Sequence, residues 1–435
     1  MTETRITTYG ELDQGSYEQI ERCAQAGDCV AAALMADHHL GYSQPIGGVV
    51  AYKDQISPSG VGYDIACGNK AVRTNILADE IRADVPKIMD EIAERISFGM
   101  GRANDEPVDH PVLDEIRNAD FAGQRALADL ATKQLGTVGS GNHYVDLFAG
   151  DDGWLWIGNH FGSRGFGHKT ASGFLALAEG KRFEEHASEG EMHSPPILFG
   201  TDTDLGQSYI AAMTLAGKYA YAGRDVVIEK VIEILGATAT FDVHNHHNFA
   251  WQENHFGEDC WVIRKGATPA APGQLGFVGS SMGEDSVIIE GRTTEGHGAN
   301  ALYSTIHGAG RVMSRTMAAG KSRKRWTCDN RDCDWFAGDG EHKPDDGNCP
   351  KCGYAGMSKR MQQITEGVID WSATKVDLKA KGIELRGAVA DEAPGAYKRL
   401  PEVLAAHDDQ IRVLHTLKPL GVAMAGADVF DPYKD

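Results

Sequence analysis

The stretch Ser57-Pro58-Ser59-Gly60-Val61-Gly62-Tyr63-Asp64-Ile65-Ala66-Cys67-Gly68-Asn69 joins two apolar runs of strand character, Ile46–Tyr52 and residues 71–76. A glycine-rich turn between strands that carries Asp64 and Cys67 three positions apart is a place for chemistry, because glycine lets backbone approach a ligand closely. Strand character recurs at 154–157, 238–243, 261–263 and 287–289. Val85, Ile88, Ile92 and Ile96 repeat at helical spacing with Pro86 in the first turn, where proline is tolerated. Residues 121–134, 209–235 and 396–417 also read as helices, the last interrupted or kinked by Pro401. Strands and helices mixed at irregular spacing predict an α+β fold instead of a regular βαβ series.

The 435 residues hold 42 Lys and Arg against 62 Asp and Glu, a net charge of −20, with 42% hydrophobic and 24% charged residues. That composition excludes wholesale disorder. The length allows two or three units or one large domain. No run nears the ~18 apolar residues of a membrane span, and the first residues lack the apolar core of a secretory signal. Eight cysteines are too few for a disulfide scaffold at this size, so a reducing cytoplasm is expected. The acidic balance argues against holding a polyanion by bulk charge but leaves room for a local basic groove. From about Lys321 to Arg360 apolar periodicity stops and Gly, Asp and Cys dominate. One large domain, 1–321 with 361–435, is therefore expected to carry a small inserted module at 322–360.

Glycine and histidine stand out at 52 and 17 residues, and they cluster together. A carboxylate and a thiolate spaced as Asp64 and Cys67 could reach one cation, and a thiolate can bridge two; a buried structural Cys beside a turn-forming Asp is the plainer reading. Asn142-His143-Tyr144-Val145-Asp146 and His160-Phe161-Gly162-Ser163-Arg164 each set a histidine beside glycines at a strand end, the second with an arginine suited to phosphate. Phe241-Asp242-Val243-His244-Asn245-His246-His247-Asn248 concentrates three histidines after an apolar strand. On extended backbone His244 and His246 share one face and His247 takes the other. Gly279-Ser280-Ser281-Met282, with Ser286 beyond it, is a small-residue turn able to wrap a nucleotide. His307-Gly308-Ala309-Gly310-Arg311 opens a basic segment in which Arg311, Arg315, Lys321, Arg323, Lys324 and Arg325 occur without an acid among them. This reads as a phosphate-binding stretch or, more plainly, as a solvated basic helix face.

In the insert, Cys328-x4-Cys333 is followed by Cys349-x2-Cys352. Two close cysteine pairs around a short polar spacer predict a zinc ribbon with four thiolate ligands, and a module with so few apolar groups needs the metal to fold.

Taken in order from about Gly41 through Lys398, these blocks resemble the RtcB family of GTP- and manganese-dependent RNA ligases. The resemblance implies an RtcB-like mixed sheet and helix domain interrupted by the ribbon. It implies two Mn²⁺ ions, one held by Asp64, Cys67 and His247 and the other by Cys67, His143 and His160. His247 is preferred to His244 and His246 because it directly precedes Asn248, matching the family's His-Asn pair. His307 is implied as the nucleophile that takes GMP from GTP, passes it to an RNA 3′-phosphate, and lets a 5′-hydroxyl close the phosphodiester. A 2′,3′-cyclic phosphate would first be opened at the same site. Nucleotide contacts are implied for Asn142, His143, Tyr144, Val145, Asp146, His247, Asn248, Gly279, Ser280, Ser281, Met282, Ser286, His307, Gly308, Ala309, Gly310 and Lys398, and RNA-phosphate contacts for Arg164, Arg311 and Arg315. The family's activating partner archease is a partner the resemblance admits. Asp146 stands where the family commonly has Glu, and Gly279-Ser280-Ser281-Met282 where it has Pro-Gly-Ser-Met. Two other readings use the same residues: a dinuclear-metal phosphodiesterase or phosphatase with no covalent step, and a non-catalytic, zinc-dependent RNA-binding protein.

Overall fold

The computed structural model describes residues 5–185, 187, 192–292, 297–338, 340–427 and 429. Two sheets dominate. The larger runs in the order Leu275–Val278, Ser286–Gly291, Ile411–Met424, Tyr144–Gly150, Trp154–Phe161, Gly68–Leu77, Ala239–His246, with Glu384–Arg386 added in parallel to Ile411–Met424. It curls so that its ends meet: the Asn245 side chain accepts from Phe277 N–H at 3.0 Å and the Asn69 amide donates to Phe277 O at 2.8 Å. Side-chain amides thus satisfy edge groups that a backbone ladder would otherwise pair. The second sheet is Arg5–Thr8, Cys29–His39, Ile46–Tyr52, Glu258–Lys265, Asn248–His255.

The chain crosses between the sheets at places that matter for function. Residues 57–67 leave the second sheet and enter the larger one at Gly68, and His247 is the single residue between Ala239–His246 and Asn248–His255. The two crossovers are bonded to each other: His247 N–H donates to Cys67 O at 2.8 Å and Ala66 N–H to Asn248 O at 2.7 Å. A seam between sheets therefore fixes both turns.

The helix Asp204–Leu235 packs under this seam, capped by Thr203 Oγ1 on Gly206 N–H and ended by left-handed Gly236. Its Arg224 is fully buried. The guanidinium donates to Ala66 O at 3.0 Å, Phe161 O at 2.6 Å and His244 Nε2 at 2.8 Å, and lies 2.9 Å from His246 Nδ1. Burial lowers its pKa to about 10, so it stays charged. His244 and His246 share one face as expected, but that face meets Arg224 and Tyr221, not a ligand.

The expected strands are present, Ile46–Tyr52 with the same bounds and the others running a few residues further at one or both ends, and the helices at 85–96 and 209–235 are present as Val85–Arg95 and Asp204–Leu235. Two expectations are corrected. Residues 121–134 form two short helices, Ala122–Arg125 and Ala128–Gln134, separated near Leu127 at φ −92°, ψ 3°. Residues 396–417 are not one helix: Leu400–Ala405 is helical with Pro401 in its first turn, and Ile411–Met424 is a strand. The ladder that pairs residues 411–417 with Ser286–Gly291 outweighs local helix preference there, and the strand continues against Tyr144–Gly150 from Leu417 on. The insert is held by the ladder Ser322–Cys328 against Met357–Gln363, which runs past residue 360. All eight cysteines are free, and no helix among the described residues is long and apolar enough to cross a membrane.

Arg224→Met would strand two carbonyls and two imidazole nitrogens in a dry interior at roughly 1–3 kcal/mol each. Denaturant unfolding should show a loss of about 3–5 kcal/mol. A loss below about 1 kcal/mol would show that water replaces the guanidinium and that the clamp is not needed.

Candidate active site and metal centre

The seam opens into a cavity of about 900 Å³. Asp64, Cys67 and His143 bring ligand atoms within 4.8 Å of one another, and so do Cys67, His160 and His247. Cys67 Sγ, common to both groups, lies 3.5 Å from His160 Nε2 and 3.8 Å from His143 Nε2. All five predicted donors therefore converge, with a correction to their grouping: His143 and His247 exchange places relative to the family-based assignment. The reason is positional. His143, just before strand Tyr144–Gly150, reaches Asp64 Oδ2 at 3.1 Å, while His247 leaves the seam to stack on His160 with ring centroids 5.1 Å apart.

The second nitrogen of two imidazoles is tied down. His160 Nδ1 meets Asn69 Oδ1 at 2.5 Å and His143 Nδ1 meets Val138 O at 3.0 Å. Donation through Nδ1–H leaves each Nε2 lone pair aimed at the cluster, the arrangement a metal ligand needs. Burial, reinforced by neighbouring cationic groups, pushes His160 and His247 far below the usual imidazole range, so their lone pairs are available. Burial, with Asp64 beside it, pushes the Cys67 thiol well up. Burial also opposes ionisation of Asp64, but the hydrogen bond and charge of His143 and the charge of Arg164 outweigh it and hold the carboxyl low. A buried thiol, a carboxylate and three imidazoles are a donor set suited to divalent first-row metals. Gly162 is required beside them, since a Cβ there would collide with the Asp64 carboxylate.

His307 follows the short strand Ser304–Ile306, and its ring centroid stands 4.9 Å from that of His247. Fully buried Asp37, on strand Cys29–His39, accepts from His307 N–H at 2.9 Å and from Nδ1–H at 2.7 Å. Burial raises the cost of charging Asp37, yet the facing His307 and its hydrogen bonds keep the carboxyl below its ordinary range. With Nδ1 occupied, Nε2 carries the free lone pair. Gly310, at φ +76° against Asp37 O, has no room for a side chain. Lys398 Nζ donates to Ala36 O and His38 O, each at 3.0 Å, bracing the same strand.

The cavity is lined by Asn142, Tyr144, Asp146, Asn248, Gly279, Ser280, Ser281, Met282, Gly308, Ala309, Gly310 and Lys398 as well as His160, His247 and His307. Buried Tyr144 OH, Asp146 Oδ1, Ser280 Oγ, Ser281 Oγ and His247 Nδ1 have no partner among the described residues. Such orphans are expected where a polar ligand belongs. Asp146 is pushed well up by burial. Three predicted contacts stand elsewhere. Strand alternation turns Val145 into the core, Ser286 Oγ supports the turn by accepting from Ser280 N–H at 3.0 Å, and His143 sits behind the cavity wall. Arg164, at φ +52°, does not line the cavity either; its guanidinium lies 3.1 Å from His143 Nδ1. Arg311 and Arg315 do line it, steered by buried Asp391 and Glu392.

Several residues here escaped the sequence reading: Asp37, Asn69, Arg224, Asp391, Glu392, and Lys265, whose buried ammonium donates to Tyr42 O at 2.6 Å and is lowered to about 8 by burial. Only Asp37 left a local trace, an acid opening Asp37-His38-His39 at the end of an alanine-rich run. In the insert, Cys328 and Cys352 Sγ are 3.5 Å apart and Cys333 and Cys349 Sγ 3.7 Å, matching the ~3.8 Å edge of a tetrahedron with ~2.3 Å Zn–S bonds.

The Asp37 contact sets the His307 tautomer. Side-chain ¹⁵N spectra should show Nδ1 protonated in the native protein and Nε2 protonated in Asp37→Asn, whose amide can donate to Nδ1. An unchanged Nδ1–H form in the variant would mean Asp37 does not decide it.

Comparison with known proteins agrees with this geometry. The family model described as tRNA-splicing ligase RtcB matches residues 19–126 and 114–333. The chain is 29% identical over 411 residues to the RNA-splicing ligase RtcB of Escherichia coli (strain K12), covering 89% of this chain and 88% of that one. It is 27% identical over 469 residues to the tRNA-splicing ligase RtcB of Thermococcus kodakarensis, covering 90% and 86%. With the tRNA-splicing ligase RtcB of Pyrobaculum aerophilum it shares 30% identity over 365 residues, 66% of this chain and 73% of that one. A cluster of five donors beside a carboxylate-held histidine, in a chain matched by this model over most of its length, places the protein in the RtcB family.

Proposed function

We propose that the protein is an RNA ligase that joins a 3′-phosphate or 2′,3′-cyclic phosphate end to a 5′-hydroxyl end through a histidine–GMP intermediate. The observation that carries this reading is His307, locked by Asp37 with Nε2 free, in the same cavity as the Cys67-centred donor cluster. A hydrolase working through metal-activated water has no use for a second, carboxylate-oriented imidazole. A passive RNA-binding protein has no use for a buried donor cluster.

In this scheme His307 Nε2 attacks the α-phosphorus of GTP, the bond to the β-phosphate oxygen breaks, and pyrophosphate leaves. Asp37 keeps the Nδ1–H hydrogen bond throughout and offsets the positive charge that develops on the ring. An oxygen of the RNA 3′-phosphate then takes the GMP, the P–N bond breaks, and His307 returns to its neutral form. The 5′-hydroxyl attacks the activated 3′-phosphorus and GMP departs as the phosphodiester closes. Asp146 Oδ1 and the hydroxyls of Tyr144, Ser280 and Ser281 are unpartnered groups that would contact the base and ribose. Arg311 and Arg315 suit the RNA phosphates. Two Mn²⁺ ions, one with Asp64, Cys67 and His143 and one with Cys67, His160 and His247, would neutralise phosphate charge during transfer. Zn²⁺ would hold Cys328, Cys333, Cys349 and Cys352.

Incubation with α-labelled GTP and Mn²⁺, followed by denaturing electrophoresis, tests the scheme. Wild type should carry an acid-labile label that is absent in His307→Ala and Cys67→Ala, with both variants folded by circular dichroism. Asp37→Asn should label roughly 10²–10⁴-fold more slowly, the usual cost of a wrong tautomer or a lost general acid–base partner. A label that survives His307→Ala moves the nucleophile elsewhere, and an unlabelled wild type returns the protein to the hydrolase reading.

A further inference from the structure

The ladder of the insert carries a second cavity, about 220 Å³, that the chemistry above does not use. Among the described residues Arg323, Lys324, Trp326, His342 and Lys359 line it, together with the acid Glu341. Directly opposed residues of an antiparallel pair share a face, and the register sets Trp326 against Lys359 and Arg325 against Arg360. Lys324, two residues before Trp326, lies on the Trp326 face. The ammonium groups of Lys359 and Lys343 stand 5.4 and 5.6 Å from the indole centroid. Arg360, on the other face, is tied to Asp329 at 2.6 Å. Glu341 accepts from its own loop through Gly338 N–H. One face of the ribbon thus presents a half-buried indole rimmed by lysines, in a chain of net charge −20.

An aromatic face among cations is how sequence-tolerant sites hold single strands: the ring takes a base and the cations take phosphates. An acidic peptide would use the lysines but has no need of the indole. The path to the reaction cavity is short. Arg315, which lines that cavity, begins helix Arg315–Ala319, and strand Ser322–Cys328 follows at once. At ~1.5 Å per helical and ~3.3 Å per extended residue, Trp326 lies within about 30 Å of Arg315. A strand of roughly ten nucleotides at ~3.4 Å each spans that distance.

We propose that Trp326, Lys324, Lys343 and Lys359 form a stacking platform for the single-stranded RNA flanking the reacting end. The identity of the strand rests on the ligase reading; the binding itself does not, and the test keeps the two apart. Full-length, zinc-loaded protein is titrated into a fluorescent RNA of roughly 20 nucleotides, long enough to occupy both cavities, with hydroxyls at both ends so that it cannot react. Trp326→Ala should weaken binding about five- to a hundredfold, the worth of one stacked base, and Trp326→Phe should restore most of it. Lys324→Gln with Lys359→Gln should lower the slope of log affinity against log salt by about 1.4, two single-strand phosphates. His307 labelling by GTP should be unchanged in every variant. Unchanged RNA affinity in Trp326→Ala, with zinc content intact, overturns the proposal. So does polyglutamate binding that falls as far as RNA binding, which would assign the surface to an acidic peptide. If Trp326→Ala loses its zinc, the exposed lysine pair decides: an unchanged salt slope overturns the proposal. Loss of His307 labelling in wild type would defeat the ligase reading and leave the RNA-binding result standing.

Discussion

The desolvated sulfur of Cys67 is the group around which the rest of the molecule is arranged. It is buried with a carboxylate on one side and imidazoles on the other, in surroundings that make a bare thiolate costly. Without a cation those donors have no common partner. With one, His160 and His143 would meet it already oriented, His160 by the Asn69 side chain and His143 by the Val138 carbonyl.

Holding that cluster in place is a task for the scaffold. The two turns that supply Asp64, Cys67 and His247 lie where the chain passes from one sheet to the other, and they bond to each other across the seam. Arg224 binds Ala66 and Phe161 from below, so one side chain ties together the long helix, the Cys67 turn and the His160 strand. The histidine-rich run divides its labour accordingly: His244 and His246 serve the clamp, Asn245 closes the sheet and His247 faces the cavity.

The basic stretch after His307 also divides. Arg311 and Arg315 turn into the reaction cavity, where Asp391 and Glu392 hold them. Arg323, Lys324 and Arg325 pass onto the ribbon ladder. A single run of like charge therefore spans two surfaces, because a short helix ends and a strand begins between residues 319 and 322. The same segment that carries the proposed nucleophile leads directly into the cysteine module.

Much of this was legible residue by residue. Rare local combinations such as Asp64-x2-Cys67, the histidine runs and the paired cysteines mark themselves in one dimension, since few other demands place those side chains beside glycines. Strands of β-branched residues, and the helix whose apolar spacing Val85 begins, were equally plain. What the linear order could not supply was partnership at long range. Residues 411–417 have helix-compatible composition, and only pairing with the distant strand Ser286–Gly291 makes them extended. Asp37 is 270 residues from the histidine it orients, and the exchange of His143 and His247 between donor groups depends on where a strand begins and where a seam falls. Side-chain chemistry is a local property written at each position; distances and tautomers follow from the packing of sheets that no single segment contains.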